Sequence, residues 1–93
     1  MADPIDRLPV RSSEDVVRVR QSVRQRAVAL GLSIVDQTKI ITAASEIARN
    51  TLDHGGGGEV TIETLAAGAR LGLRLVFVDR GPGIPDLALA MSD

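Results

Sequence analysis

The sequence contains no cysteine, tryptophan or tyrosine, and its only aromatic residue is Phe77. Disulfide bonds, thiol catalysis and cysteine-ligated metal sites are therefore excluded for this chain. Its hydrophobic residues amount to 44% of 93 positions, so a core has to be assembled from Val, Ile, Leu and Ala. A chain of this length forms one domain with a thin core.

Strong charge of one sign and long apolar runs are also missing. The net charge is -1, which argues against general affinity for nucleic acid. No apolar run approaches the roughly 20 residues of a membrane span, and the first residues lack a signal-peptide layout, so the expected location is cytoplasmic. One segment is rich in arginine and is either a solvated face or a docking surface; it contains Arg18, Arg20, Arg24 and Arg26.

Two common phosphate-binding motifs are absent. No Gly-x-x-x-x-Gly-Lys-Ser/Thr segment occurs, and the single lysine, Lys39, falls inside a helical pattern, so a P-loop is excluded. Gly81 and Gly83 are too close together for a dinucleotide-binding fingerprint.

The first half of the chain predicts a strand and two helices. Residues 5–10, flanked by two prolines, favour an edge strand. Ser12 and Ser13 open an amphipathic helix that ends at Gly31. Ser33 caps a second helix, which runs to about His54 before four glycines stop it.

The second half predicts an antiparallel hairpin. Residues 60–65 alternate in polarity, a turn follows near positions 67–70, and residues 71–78 continue as a second strand. Its bulkier face carries Leu71, Leu73, Leu75 and Phe77 and is expected to lie beneath the helices, with Asp79 at the rim of the core. The Pro85-Asp86 pair predicts the start of a further helix.

Polar groups at two places form a candidate site. Glu46, Asn50 and His54 follow one another at one-turn intervals on the second helix, and Asp79 ends the second hairpin strand. Glu46, Asn50 and Asp79 could therefore converge on one ligand. Taken separately, the helix residues are also typical of an ordinary solvated stripe, and His54 alone is a weak metal signal.

The Asp-x-Gly-x-Gly run at Asp79, Gly81 and Gly83 has an alternative interpretation of its own. A strand that ends in a proline-glycine turn would contain the same residue types.

The two patterns together resemble the GHKL superfamily of ATP-binding domains, which share the Bergerat fold. Within it, the chain is similar to the small bacterial serine/threonine kinases of sigma-factor pathways, most of all the RsbT type. The resemblance implies an α+β, two-layer sandwich with a mostly antiparallel sheet and helices on one face, in a single domain spanning residues 1–93. The segments that carry the likeness are 36–37, 45–50 and 79–86.

The resemblance implies a role for each site residue, with ATP and Mg²⁺ as cofactors. Asn50 would give its amide oxygen to the metal ion, and Glu46 would be the catalytic base. Asp79 would accept the adenine amino group, while Gly81 and Gly83 would let the backbone close on the nucleotide. His54 and Arg49 are expected to be neighbours without a catalytic role.

The chain also departs from the family pattern after Asp86. A flexible lid, a second glycine-rich box and a final strand and helix are expected there, and this sequence contains none of them. The resemblance therefore predicts the adenine pocket and the metal ligand but not the phosphate cradle. An open sheet edge would favour pairing with a second copy as a homodimer.

Three functions remain open. The first is an ATP-dependent protein kinase that phosphorylates a STAS-domain antagonist of an anti-sigma factor (RsbS-like) in a stress-response partner switch. The second is a non-catalytic module or anti-sigma factor that holds a STAS protein, a sigma factor or an RsbU-like phosphatase. The third is the ATPase domain of a histidine kinase, which usually follows a helix with a phosphorylated histidine. Here the single histidine comes after the Asn50 position.

Overall fold

Two contacting helices lie over one face of a four-stranded antiparallel sheet. The computed structural model describes the backbone of residues 5–54, 56–67, 70–79 and 86–91 and the side chains of residues 5–54, 56–65 and 72–78. The elements are β1 (Ile5–Val10), α1 (Ser13–Ala29), α2 (Ile34–Asp53), β2 (Gly58–Ala67), β3 (Arg70–Asp79) and β4 (Asp86–Met91). The strands follow chain order in the sheet. The predicted α+β class is confirmed, and the layers are compatible with a Bergerat-type sandwich.

Helix α1 begins and ends where the sequence predicts. The Ser12 side chain accepts a hydrogen bond from the backbone N–H of Asp15 at 3.2 Å and so caps the first turn. At the other end Leu30 is the C-cap, and Gly31 has a φ of +76°, a backbone conformation that glycine adopts without steric cost. The buried face of the helix consists of Val16, Val19, Val23 and Ala27, together with Asp15.

Helix α2 is the longer of the two and provides much of the core. Ser33 caps it by accepting a hydrogen bond from the backbone N–H of Asp36 at 3.1 Å. Its last helical residue is Asp53, and His54 is the C-cap, as predicted. Ile40, Ala44 and Ala48 are fully buried. No helix in the described part of the chain is long and apolar enough to cross a membrane.

The sheet has one inner face and one outer face, and alternation along each strand decides which residues lie on each. Val60 and Ile62 of β2 are fully buried, as are Leu73, Leu75 and Phe77 of β3. These five residues belong to the same core cluster as the buried faces of both helices. The predicted hairpin and the predicted inner face of its second strand are confirmed, although positions 68 and 69 of the turn lie outside the described residues.

The helix predicted to start at Pro85-Asp86 is wrong. Residues Asp86–Met91 form strand β4, which pairs antiparallel with β3 from Val76↔Asp86 to Leu71↔Met91. The sequence of this segment alternates leucine or methionine with alanine, a period of two that fits a strand. The unpaired edge of β3 gives such a segment backbone hydrogen-bond partners, which outweigh the local preference for helix.

Side-chain hydrogen bonds and one ion pair join α1 to β1 and β2. The Asp6 carboxylate oxygen Oδ2 accepts hydrogen bonds from Arg26 Nε at 3.0 Å and Ser22 Oγ at 3.3 Å, and it lies 2.9 Å from Arg26 Nη2. Arg26 Nη1 donates to Thr64 Oγ1 at 2.7 Å. Only 13% of the Arg26 side chain is exposed, against 45% for Asp6. Arg26 is therefore a largely buried cation whose hydrogen bonds join α1, β1 and β2.

Replacing Arg26 with methionine should destabilise the fold. The Arg26→Met variant keeps much of the aliphatic stem but removes the hydrogen bonds that Arg26 donates to Asp6 and Thr64, so we expect the free energy of unfolding to fall by about 1–3 kcal/mol. Urea denaturation measures the change. The matched control is Arg24→Met on the exposed side of the same helix, which should stay within about 0.5 kcal/mol of the parent. Equal losses in both variants would contradict the role given to Arg26.

The Asp15 carboxylate in the first turn of α1 should make the stability of the protein depend on pH. The backbone N–H of Arg11 donates to Asp15 Oδ2 at 2.9 Å, and Arg18 Nη1 lies 2.9 Å from Oδ1. The Arg11 hydrogen bond and the Arg18 charge hold the pKa of Asp15 below its ordinary value, against the opposing effect of burial.

Because the pKa is lowered by folding, the ionised carboxylate stabilises the protein above its ordinary pKa of about 4. This contribution is lost as the pH falls through the lower pKa of the folded state. We expect Asp15→Asn to be less stable than the parent at neutral pH and the difference to shrink in acid, as measured by urea midpoints between about pH 2.5 and 7. A difference that stays constant over this range would show that Asp15 ionisation is not the cause.

Candidate functional site

Helix α2 places Glu46 and Asn50 on its exposed side, one turn apart. The rotation of the helix is set by Ala44 and Ala48, which are fully buried against the sheet layer. Both candidate residues therefore lie on a rigid element and remain accessible to a ligand.

The Glu46 carboxylate and the Asn50 side-chain amide have no hydrogen-bond partner among the described residues. Other polar side chains of the same helix are used internally: Ser45 Oγ donates to the Ile41 carbonyl at 2.7 Å, and Thr51 Oγ1 donates to the Ile47 carbonyl at 2.9 Å. The Glu46 carboxylate and the Asn50 amide are thus available for contacts that the described fold does not make.

Asp79 is brought to the same end of the molecule by strand pairing. It is the last residue of β3, and its Cα pairs with that of Gly58, the first residue of β2. Only positions 54–57 separate Gly58 from the end of α2. Asp79 also follows the fully buried Phe77 by two residues, and so shares its strand parity. The backbone of Asp79 therefore lies beside the connection that follows the helix bearing Glu46 and Asn50.

The remaining predicted site residues are only partly covered by the structure. Gly81 and Gly83 lie outside the described residues, as does the side chain of Asp79. His54 and Arg49 are exposed, and His54 caps α2 with its backbone N–H, which donates to the Asn50 carbonyl at 2.9 Å. Their place as neighbours without a catalytic role stays a prediction.

The residues present fit a magnesium ion that is held mostly by its nucleotide and by water. Among the described residues, no group of three or more His, Asp or Glu side chains is placed to hold a metal. Mg²⁺ commonly takes only one or two protein oxygens and fills its other positions with phosphates and water. The exposed Asn50 amide oxygen, which has no partner among the described residues, could be one such ligand.

Thr51 is a positioning residue that the sequence analysis missed. It is almost fully buried, and its carbonyl accepts a hydrogen bond from the backbone N–H of Gly57 at 3.0 Å. This bond turns the chain from the end of α2 into β2, immediately after Asn50. Thr51 follows Ala48 by three residues and Ile47 by four, and this helical spacing could have predicted that Thr51 is buried.

Gly57 allows this connection to pass close to the end of β1. Its φ is +91°, and a Cβ at this position would lie 3.1 Å from the Val10 carbonyl oxygen. Gly56 has a similar φ of +73° but open space around it.

One curated relative is similar to most of this chain. The serine/threonine-protein kinase RsbT of Bacillus subtilis (strain 168) is 44% identical over 79 residues. The match covers 85% of this chain and 59% of RsbT, so the chain spans less than two thirds of the length of this relative. Any continuous stretch of 79 residues in a chain of 93 includes positions 15–79. Helix α2 and strand β3 therefore both lie in the matched region.

Family models and solved structures add no further relative. No family model matches the chain, and no solved structure matches it at a significant level.

Replacing Gly57 with alanine tests whether its close approach to Val10 stabilises the connection between α2 and β2. We expect Gly57→Ala to destabilise the protein by about 1–2 kcal/mol from its backbone conformation, with a further loss from the contact with the Val10 carbonyl. Gly56→Ala is the matched control, because it carries the conformational cost without the contact. Urea denaturation of both variants measures the difference. A Gly57 variant as stable as the Gly56 variant would show that the close approach is unimportant.

Proposed function

We propose that this chain, which is 44% identical over 79 residues to the serine/threonine-protein kinase RsbT, forms the nucleotide-binding part of an ATP-dependent serine/threonine kinase. The observation that carries the proposal is the placement of Glu46 and Asn50. The side chains of Glu46 and Asn50 are exposed, one turn apart and without partners among the described residues. They lie on a helix whose following connection leads to Gly58, the strand partner of Asp79. The proposed protein substrate is a STAS-domain antagonist in a partner-switching pathway.

Each residue has one task in this proposal. Magnesium ATP, when bound, supplies the phosphoryl group and the positive charge that offsets the phosphates. Asn50 holds the metal through its amide oxygen, and Glu46 accepts the proton of the attacking serine or threonine hydroxyl. Asp79 accepts a hydrogen bond from the adenine amino group, which selects the base.

A second candidate function is a module that binds a STAS-domain protein, a sigma factor or a phosphatase without transferring phosphate. Phosphoryl transfer depends on groups that surround the phosphates, and the residues that would do this are not among Glu46, Asn50 and Asp79.

Two measurements on the same variants separate these functions. Calorimetric titration with magnesium ATP measures nucleotide binding, and transfer of labelled phosphate to a STAS-domain protein measures catalysis. We expect Glu46→Gln to bind nucleotide as the parent does but to lose about 10²- to 10⁴-fold in transfer rate. Asp79→Asn should weaken nucleotide binding by about tenfold or more, because a charged carboxylate acceptor is replaced by a neutral amide oxygen, which accepts a weaker hydrogen bond.

Glu14→Gln is the matched control for the loss of one carboxylate. Glu14 is exposed in the first turn of α1 and belongs to neither candidate motif, so both nucleotide binding and transfer should be unchanged. Nucleotide binding without transfer in the parent chain would favour the binding module. Normal transfer by both Glu46→Gln and Asp79→Asn would reject the kinase site.

A further inference from the structure

The outer face of the sheet, on the side away from the helices, contains a groove of about 330 Å³. Two other described grooves are smaller, at about 200 Å³ each. The larger groove lies where the end of β1 meets the start of β2 and the end of β3. It is lined by Arg7, Leu8, Pro9, Arg11, Gly58, Glu59 and Val78.

Two arginines of this groove have no structural task among the described residues. Arg7 and Arg11 are exposed and alternate with Leu8 and Val10, which face the core. Neither guanidinium makes a hydrogen bond or ion pair with the rest of the described structure. Elsewhere the fold does use arginine, since Arg26 pairs with Asp6. Arg7, in β1, and Arg11, just after β1, therefore bring two guanidinium groups without partners among the described residues to one groove.

The other walls of the groove suit a peptide that lies on the sheet face. Pro9 has no backbone N–H, which disfavours addition of another strand at this edge. Val78 is 40% exposed and adds an apolar surface. Glu59 is exposed and forms no ion pair with the described residues, although it lies in the same groove as the arginines. The groove thus combines two arginine donors with apolar contact area.

We propose that this groove binds an acidic, partly apolar segment of a partner protein. Carboxylates of the segment pair with Arg7 and Arg11, whose planar guanidinium groups suit bidentate contact with a carboxylate. Apolar side chains between them pack on Pro9 and Val78. Glu59 repels the acidic segment and moderates its affinity. The surface lies on the opposite side of the sheet from α2, so it is separate from Glu46 and Asn50.

The test uses the full 93-residue chain and a probe peptide of alternating Glu and Val. Titration followed by amide chemical shifts should give saturable changes at Leu8, Val10 and Gly58, with affinity falling between about 20 mM and 200 mM salt. A peptide of alternating Gln and Val should bind more weakly. The double variant Arg7→Gln/Arg11→Gln should weaken binding of the acidic peptide by about fivefold or more.

Two further variants make the result specific. Arg20→Gln/Arg24→Gln removes the same charge from the exposed side of α1 and should leave the affinity unchanged. Glu59→Gln should strengthen binding by about twofold, because the repulsion is removed. Equal weakening by both arginine pairs, or equal binding of the Gln and Glu peptides, would overturn the proposal. Concentration-dependent shifts at the same amides without peptide would instead assign the groove to a second copy of the chain, which also overturns it.

Discussion

The burial of the inner sheet face beneath α2 is the constraint on which the rest of the structure depends. Ala44 and Ala48 are small enough to bring the helix close to the strands, and Phe77 supplies the one aromatic side chain of the core. Once this face of the helix is buried, its rotation is set, and Glu46 and Asn50 must lie on the exposed side. The burial of apolar side chains therefore fixes the positions of Glu46 and Asn50, although these two residues are not part of the core.

The same packing determines where strand β3 ends. Because Leu73, Leu75 and Phe77 occupy the inner face, the pairing register of β3 with β2 cannot slip by one residue without exposing all three. That register puts Asp79 opposite Gly58, next to the connection from α2. The two motifs of the candidate site are separated in sequence by the entire hairpin, and only the pairing of β2 with β3 returns the chain to the end of α2.

Arginines in this protein serve two different purposes. Arg26 and Arg18 are paired with carboxylates and hold α1 in place or complete its first turn. The guanidinium groups of Arg7, Arg11, Arg20 and Arg24 are on exposed residues and have no partner among the described residues. The sequence analysis grouped Arg26 with its neighbours on α1, because residue type and spacing do not reveal which cation faces the sheet. Only the contacts with Asp6 and Thr64, which lie on two different strands, distinguish it.

The sequence by itself determined the features that depend on local chemistry. Serines with following carboxylates predicted both helix starts, glycines predicted the ends, and alternation in β3 predicted its buried face, all of which the structure confirms. Features that depend on distant partners required the tertiary structure. Residues 86–91 form strand β4 because β3 offers an edge to pair with. Thr51 holds the connection after α2 because its carbonyl accepts the hydrogen bond from the Gly57 N–H. Local sequence patterns reflect the conformational preferences of short segments. Strand pairing and buried hydrogen bonds instead join residues that are far apart in the sequence, so local patterns do not reveal them.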